Sequence, residues 1–247
     1  MNVVLIEPEE KTSDGALRLS DGRARHILHV LKARPGDSIR LGILDGPLGT
    51  GTITTLAKET VELSCSFEGT IPPRPRADLL LALPRPKVMR RLWAQLAALG
   101  VGRIILTNAW KVEKMYFDSH VLHPGVYRPL LVEGLQQAGD TRLPDVRVFK
   151  QFKILIEDEL DGLFLEGRRL IARPGPGPAM RQAAARSAGR VLLAVGPEGG
   201  WTPFEEERLA AHGFKPVSMG ARTLRTDTAC VALLALLRDV MEPDTSR

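Results

Sequence analysis

The spacing of apolar residues along this chain changes at about residue 78. Before that point, short apolar runs are separated by turn sequences such as Pro35-Gly36-Asp37, a pattern typical of strands joined by tight turns. One stretch instead carries apolar residues at helical spacing. We predict that helix at about 21–32, and strands at 3–6, 38–44, 51–56 and 60–67. Together these elements predict a small β-barrel-like module.

From residue 78 onward, strand-like runs alternate with helix-like runs. The run at 79–83 is continuously apolar, as in a strand buried on both faces. The predicted strands are 79–83, 101–106, 146–149, 170–172, 191–195 and 216–219, and the predicted helices are 87–99, 124–138, 179–188, 203–212 and 228–241. This alternation predicts βαβ units, an α/β fold and a mainly parallel sheet.

The change in pattern coincides with a proline-rich stretch, Pro72-Pro73-Arg74-Pro75. Prolines so closely spaced fit neither a central strand nor a helix interior. We therefore divide the chain into an N-terminal β domain at 1–71, a linker at 72–77 and a C-terminal α/β domain at 78–247.

Two glycine-bearing loops in the C-terminal domain are the strongest candidates for a ligand site. Each follows a predicted strand and leads into a predicted helix, which is where open α/β sheets bind ligands. The first reads GPEGGWTP at 196–203, and the second reads MGARTLRTDT at 219–228. We expect them to form two walls of one pocket. The stretch RPGPGP at 173–178 is predicted to be a rigid loop that follows a strand end and can line a pocket.

The first loop has features of both a structural turn and a ligand site. Thr202 can cap the next helix, Pro203 suits its first position and Glu205 can complete a capping box. These caps leave the three glycines around Glu198 unexplained. A ligand role explains them, because glycines let the backbone approach a ligand closely. We therefore favour a ligand role for this loop.

The second loop carries two arginines, Arg222 and Arg225. Their guanidinium forks suit phosphate or developing negative charge. For Asp227, a structural role as the N-cap of the last helix is at least as well supported as a role in ligand binding. That helix is apolar on every face at 229–237 and must therefore be buried. Burial within its own domain is one explanation, and burial at a subunit interface is the better one.

Composition narrows the choice of partners. The net charge of +5 favours a polyanion, although a basic solvated surface without a partner explains it equally well. Cys65 and Cys230 form neither a disulfide framework nor a zinc motif, and the histidine pairs lack further ligands, so we expect no metal. No signal peptide or membrane-length apolar run is evident, so we expect a soluble cytoplasmic protein with no membrane partner.

Basic residues cluster in several places, which are either solvated faces or a track for RNA phosphates. The candidate RNA contacts are Arg23, Arg25, His26, Lys32, Arg85, Lys87, Lys111 and Lys114.

The two loops resemble a known family. The segments GPEGG at 196–200, MG at 219–220 and LRTDTA at 224–229 closely resemble the ribosomal RNA uridine-N3 methyltransferases, a branch of the SPOUT methyltransferases. The segment RHILHVLK at 25–32 is similar to the PUA-like barrel of that family, and QQAG at 136–139 resembles its Glu-Gln-Ser-Gly segment.

The resemblance implies a SPOUT domain with a deep trefoil knot, an N-terminal PUA-like RNA-binding β-barrel, and a homodimer formed through the knot region and last helix. It implies S-adenosylmethionine as cofactor and methylation of N3 of one uridine in small-subunit (16S) ribosomal RNA. The implied cofactor residues are Arg173, Gly196, Pro197, Gly199, Gly200, Met219, Gly220, Leu224, Arg225 and Thr226.

A uracil N3 is protonated near neutral pH and must lose that proton before it attacks a methyl group. Arg225 is the residue that we expect to stabilise the resulting charge or to orient the base. Glu198 either accepts the proton or holds the loop through backbone N–H groups, and we favour the second role.

The chain departs from the family pattern at several positions. Ala221 stands where Pro is usual, Asp227 where Glu is usual, Gln95 and Ala98 where Lys and Glu are expected, Gln136 where an acid is frequent, and Arg173 where His is frequent. These changes bear on the target RNA more than on methyl transfer. The alternative function is an inactive knotted RNA-binding dimer acting in ribosome assembly, and a third is methylation of another position, such as a transfer-RNA ribose hydroxyl. The intact glycine loops favour the enzyme.

Overall fold

The structure is a computed structural model that describes residues 2–11, 15–184 and 189–241. The chain forms two compact units. The first consists of Met1–Arg74 with Val132–Leu143, and the second of Pro75–Leu131 with Pro144–Arg247.

The first unit contains a five-stranded sheet. Its strands are β1 (Val4–Ile6), β2 (Ala16–Leu19), β3 (Ser38–Ile43), β4 (Leu48–Leu56) and β5 (Val61–Phe67), in the order β1-β3-β4-β5-β2. The β1–β3 pair is parallel and the other pairs are antiparallel. A helix, α1 (Gly22–Arg25), continues as a π-helical turn at His26–Val30, and a 3-10 turn spans Pro8–Glu10. The predicted β module is therefore confirmed.

Alternating apolar residues of these strands form the core of the first unit. In β2, Leu17 and Leu19 point inward and their neighbours are exposed, as period-two patterning requires. They pack with Ile27, Leu41 and Leu63, among others.

A segment distant in sequence completes the first unit. The backbone N–H of Asn2 donates to the carbonyl of Gln136 at 2.9 Å, and the Thr141 hydroxyl donates to the carbonyl of Gly46 at 2.7 Å. These contacts join segments that are far apart in sequence, so the local pattern of residues does not report them.

The second unit contains a six-stranded sheet flanked by helices. Its strands are β6 (Ala77–Ala82), β7 (Val101–Thr107), β8 (Asp145–Phe149), β9 (Arg168–Ala172), β10 (Val191–Val195) and β11 (Phe214–Val217). Their order is β11-β9-β10-β6-β7-β8, and every pair is parallel. The expected mainly parallel sheet is confirmed. Strands β6 and β10 are buried along their whole length, as the apolar runs at 79–83 and 191–195 predict. The one charged residue in β6, Asp78, is also buried and pairs with Arg190 at 2.5 Å.

The remaining helices follow the predicted alternation. They are α2 (Pro86–Ala98), α3 (Pro124–Ala138), α4 (Phe152–Ile154), α5 (Leu160–Leu163), α6 (Met180–Ala183), α7 (Pro203–Ala211) and α8 (Thr226–Met241). A π-helical turn at Leu155–Glu159 joins α4 to α5, and 3-10 turns span Lys114–Asp118 and His120–Leu122.

Several element assignments needed correction. Strand β2 and the helical run from α4 to α5 were not predicted. The strand placed at 216–219 runs instead from Phe214 to Val217. Helix α6 ends at Ala183, and the remainder of the helix predicted at 179–188 falls partly outside the described residues. The trefoil knot stays a prediction.

Candidate functional site

Three loops leave the carboxyl ends of β9, β10 and β11, which are neighbours in the sheet. The loops begin at Arg173, Gly196 and Ser218. Carboxyl ends of parallel strands lie at one edge of the sheet, so the three loops meet there. Two of them are the glycine loops that the sequence singled out, and the third is the proline–glycine loop.

The loops after β9 and β11 are joined by hydrogen bonds. The N–H of Gly175 donates to the carbonyl of Gly220 at 2.9 Å, and the Ser218 hydroxyl donates to the carbonyl of Gly175. The N–H of Gly220 in turn donates to the Ser218 Oγ at 3.0 Å. Gly175 and Gly220 have φ values of +101° and +105°, which a side chain would strain. The two loops therefore form one fixed wall.

The loop after β10 is fixed by the start of α7. The predicted capping box is confirmed: Thr202 Oγ1 accepts from the N–H of Glu205 at 3.3 Å, and Glu205 Oε2 accepts from the N–H of Thr202 at 2.8 Å. The other carboxylate oxygen of Glu205 accepts from the N–H of Trp110 at 2.7 Å. This buried carboxylate thus joins α7 to the loop after β7. Sequence reasoning missed the bond to Trp110, because the two residues are 95 positions apart.

A cavity of about 410 Å³ opens between the three loops. Of the predicted cofactor residues, its lining includes Arg173, Gly196, Pro197, Gly199, Gly200, Met219, Gly220, Leu224 and Thr226. Arg225 is exposed and does not line the cavity. The cavity volume lies within the range of small-molecule sites.

Apolar side chains that the sequence analysis did not single out also line the cavity. Trp201 is buried, and its ring centroid lies 5.7 Å from that of Phe152. A Cβ on Gly196 would lie 3.1 Å from the Trp201 ring. Glycine at 196 therefore lets the indole pack against the backbone at the cavity wall.

The loop after β11 also offers unpaired donors. Within the described residues, the backbone N–H groups of Arg222, Thr223 and Leu224 donate to no protein acceptor, and all three residues line the cavity. These donors are open to solvent or half-buried, so a ligand with hydrogen-bond acceptors can take the place of water on them.

The two candidate catalytic residues lie at different places around the cavity. Glu198 lines it with an exposed side chain, and its carboxylate has no hydrogen-bond partner among the described residues. Arg225 is flanked in sequence by Leu224 and Thr226, which both line the cavity.

Charged neighbours of the cavity are paired with one another. Arg173 forms an ion pair of 3.0 Å with Glu206, and Arg91 forms one of 3.0 Å with Asp227. Burial opposes ionisation of Asp227, but hydrogen bonds from Arg91 and the backbone hold its pKa below the usual value. Asp227 is therefore a stable anion at the start of α8.

The predicted RNA contacts fall in both units. Arg23, Arg25, His26 and Lys32 belong to the first unit, and Arg85, Lys87, Lys111 and Lys114 belong to the second. Two of them also have contacts within the protein. Arg23 donates to Glu10 at 2.5 Å and to Asp21 at 2.6 Å, and Lys111 Nζ donates to the carbonyl of Gly199 at 2.6 Å. Arg25, Lys32, Arg85, Lys87 and Lys114 are exposed.

Among residues 2–11, 15–184 and 189–241, no group of three or more His, Cys, Asp or Glu side chains is arranged to hold a metal ion. In the same part of the chain, every helix is too short or too polar to cross a membrane.

The chain matches two protein families along its length. Residues 72–238 match a family described as "RNA methyltransferase domain", and residues 19–64 match one described as "RNA methyltransferase PUA domain". The first match covers more than half of the chain.

Whole-chain relatives carry a consistent name. The chain is 33% identical to a "Ribosomal RNA small subunit methyltransferase E" of Treponema pallidum, covering 96% of this chain and 90% of the relative. It is 28% identical to "Ribosomal RNA small subunit methyltransferase E 1" of Borreliella burgdorferi, covering 94% and 95%. A crystal structure of a ribosomal RNA small subunit methyltransferase E from Neisseria gonorrhoeae, described as bound to S-adenosyl methionine, superposes with a TM-score of 0.77 at 24% identity over 97% of both chains. On these matches, the chain belongs to the ribosomal RNA small subunit methyltransferase E family.

Proposed function

We propose that this protein transfers a methyl group from S-adenosylmethionine to N3 of a uridine in 16S ribosomal RNA. The observation that carries the proposal is the cavity between the three loops, which is lined by every predicted cofactor residue except Arg225. Membership of the family supports it, as do two structural neighbours, from Neisseria gonorrhoeae and Legionella pneumophila, that are described as holding this cofactor.

The cavity suits S-adenosylmethionine in size and chemistry. Apolar side chains such as Val195, Val217 and Leu233 suit the faces of an adenine ring, and the unpaired N–H groups at 222–224 suit its acceptor atoms. Glycines at 196 and 220 let main-chain atoms approach the ligand closely. When bound, the cofactor supplies an electrophilic methyl group on a sulfonium.

The protein's own contribution is to fix geometry and charge. The rigid loops hold one reactant in place, and much of the rate of an in-line transfer comes from such positioning. Arg225, exposed beside the cavity, stabilises the negative charge of a uracil that has lost its N3 proton. Glu198 has a free carboxylate at the cavity and makes no loop-holding bond within the described residues, so we assign it the role of proton acceptor.

RNA binding is assigned to the basic side chains of both units, with the division 1–71, 72–77 and 78–247 as our proposed domains. The exposed cations Arg25, Lys32, Arg85, Lys87 and Lys114 contact phosphates. Arg23 and Lys111 have internal partners, so they also shape the surface that the RNA meets. His26 contributes from the same helical segment as Arg25.

The functional form is proposed to be a cytoplasmic homodimer, assembled through the knot region and α8. Leu236 on α8 and Met219 in the cofactor loop are exposed in the single chain and line one cavity. Large apolar side chains gathered in this way mark an interface. The inactive-scaffold alternative is less favoured, because the glycine loops form an open cavity of ligand size.

Calorimetry tests the cofactor site first. We expect S-adenosylmethionine to bind with a micromolar dissociation constant, whereas failure to bind at millimolar concentration would leave only the scaffold function.

The Arg225→Ala variant tests the catalytic assignment. We expect its turnover to fall about 100-fold or more, as after removal of one charge-stabilising donor. Arg225→Lys is the matched control, since it keeps the charge and should recover part of the loss. Near-native turnover of Arg225→Ala would reject the role.

A further inference from the structure

A second cavity in the second unit has two exposed aromatic side chains in its lining. Its volume is about 750 Å³, and Trp110 and Phe204 line it. Trp110 is 85% exposed and Phe204 is 51% exposed. Large aromatic side chains so open to solvent add little to a core, and a group of them around a cavity marks a binding surface.

The charges around this cavity favour an anionic ligand. Lys114 and Lys153 line it, and the Arg208 guanidinium lies 5.0 Å from the centroid of the Phe204 ring. Glu205 accepts hydrogen bonds, and Glu157 is shared between Lys153 and Arg208 at 3.7 Å and 3.5 Å, so one acid faces these two cations. Lys114 has no acidic partner among the described residues and adds a further positive charge. The combination of aromatic rings and cations suits a nucleotide, whose base stacks while its phosphate is neutralised.

One buried carboxylate fixes the backbone near both Trp110 and Phe204. The main chain at Trp110 is tied to Glu205, which is only 3% exposed and also caps α7, the helix that carries Phe204. The backbone segments that carry the two rings are therefore joined by hydrogen bonds to the same carboxylate. Asn108 also lines the cavity, and its Oδ1 atom is buried with no hydrogen-bond partner in the described part of the chain. A buried acceptor of this kind is rare unless a donor from outside satisfies it.

We propose that this cavity binds an unpaired base of the RNA substrate, stacked on Trp110 and Phe204, with Lys114 and Lys153 contacting its phosphates. The proposal rests on the proposed function and adds to it a recognition site for a second nucleotide. Consecutive residues Trp201 and Thr202 line the cofactor cavity and this cavity, respectively. The stacked base is therefore distinct from the methylated uridine and close to it.

Tryptophan fluorescence gives a direct test with short oligouridylate as the probe. The chain has three tryptophans, and Trp93 and Trp201 are buried. Quenching by added oligouridylate thus reports mainly on Trp110. We expect quenching in the unmodified protein and its loss in Trp110→Phe. Anisotropy of labelled oligouridylate should show affinity reduced about 5- to 150-fold in Trp110→Ala, the range for loss of one stacked base, with partial recovery in Trp110→Phe.

Two further variants separate stacking from charge. Phe204→Ala should weaken binding without changing its salt dependence, whereas Lys114→Ala should reduce the slope of log K against log salt by about one. Leu165→Ala is the matched control, because Leu165 is exposed in the same unit and does not line the cavity. Wild-type affinity in both Trp110→Ala and Phe204→Ala, or quenching that persists in Trp110→Phe, would overturn the proposal.

Methylation assays on small-subunit RNA distinguish a failure of the stacking site from a failure of the proposed function. We expect Trp110→Ala to raise the KM for RNA and to leave the dissociation constant of S-adenosylmethionine unchanged. If the unmodified protein methylates RNA and the variants keep its KM, the stacking site is wrong and the function stands. If it methylates nothing while Trp110→Ala loses oligouridylate affinity, the function is wrong and the stacking site stands as an RNA-binding surface.

Discussion

At the scale of single residues, the site depends on glycines at which an added side chain would crowd a neighbouring ring. Gly196 is such a position, since an added Cβ would lie 3.1 Å from the Trp201 ring that lines the cofactor cavity. The indole also lies 5.7 Å from the Phe152 ring, measured between centroids, and lines the cavity, so any shift of the indole changes the cavity wall. A methyl group here must therefore distort the cavity wall.

We predict that Gly196→Ala weakens cofactor binding about tenfold, which corresponds to about 1.4 kcal/mol of lost binding free energy. Calorimetric titration with S-adenosylmethionine measures this loss. Gly162→Ala is the control, since nothing lies within 4 Å of its added Cβ and it sits in the short helix α5. That change should leave binding unaltered. Equal affinities for the two variants would show that the wall tolerates the methyl group.

The two cysteines differ in how reactive their thiols are expected to be. Burial raises the pKa of the Cys230 thiol to about 12, and it raises the pKa of the partly exposed Cys65 as well. Since the thiolate is the reactive form, we predict that iodoacetamide labels Cys65 before Cys230 in the native protein, and both after unfolding. Peptide mass spectrometry reads the order. Early native labelling of Cys230 would mean that α8 is not packed as described.

At the scale of elements, one carboxylate joins the helix after the cofactor loop to the loop after β7. Glu205 accepts from the N–H groups of Thr202 and Trp110 and from the Thr202 hydroxyl. In Glu205→Gln, an amide donor replaces one acceptor oxygen and faces another donor. We predict a loss of about 1.5–3 kcal/mol in unfolding free energy, the range for hydrogen bonds to a charged group.

Denaturant unfolding measures that loss, with Glu207→Gln as the control because Glu207 is exposed on the same helix. If the two variants unfold alike, Glu205 does not hold these elements together. The capping half of this arrangement was predictable, because Thr202 and Glu205 are three residues apart. The bond to Trp110 was not, since it joins distant parts of the chain.

An ion-pair cluster in the first unit gives its stability a defined pH dependence. Hydrogen bonds from Arg23 lower the pKa of both Glu10 and Asp21, with burial opposing. Carboxyl groups with lowered folded pKa values contribute stability above their unfolded pKa values and lose it as the pH falls through the folded ones. We predict that Arg23→Met costs about 1–2 kcal/mol near neutral pH, and that the difference shrinks below about pH 4.

Urea unfolding at several pH values measures this difference. Arg25→Met is the control, as Arg25 is an exposed neighbour in the same helix. A stability loss in Arg23→Met that does not depend on pH would contradict the electrostatic explanation.

Element boundaries were predictable where a continuous apolar run or a cap marked them, as in β10 and at the start of α7. They were missed where the backbone departs from regular geometry. The run from α4 to α5 contains a π-helical turn at Leu155–Glu159, which breaks the apolar spacing of a regular helix. Contacts such as that between Thr141 and Gly46 were also not predictable, because they join residues that lie far apart in sequence.

At the scale of the whole molecule, the proposed dimer interface on α8 can be tested through the exposed Leu236. We predict that Leu236→Glu converts a dimer to monomers, because burying an unpaired carboxylate in an apolar interface costs several kcal/mol. Light scattering with size-exclusion chromatography measures the mass. Leu165→Glu, an equally drastic change at another exposed leucine, should remain dimeric. An unchanged mass for Leu236→Glu would place the interface elsewhere.

The central claim is methyl transfer to uridine N3. Small ribosomal subunits lacking this methylation are incubated with the protein and S-adenosylmethionine carrying a deuterated methyl group, and the RNA nucleosides are then analysed by mass spectrometry. The account predicts that deuterated methyl appears in 3-methyluridine. Folded protein that binds the cofactor but yields no labelled 3-methyluridine would contradict it.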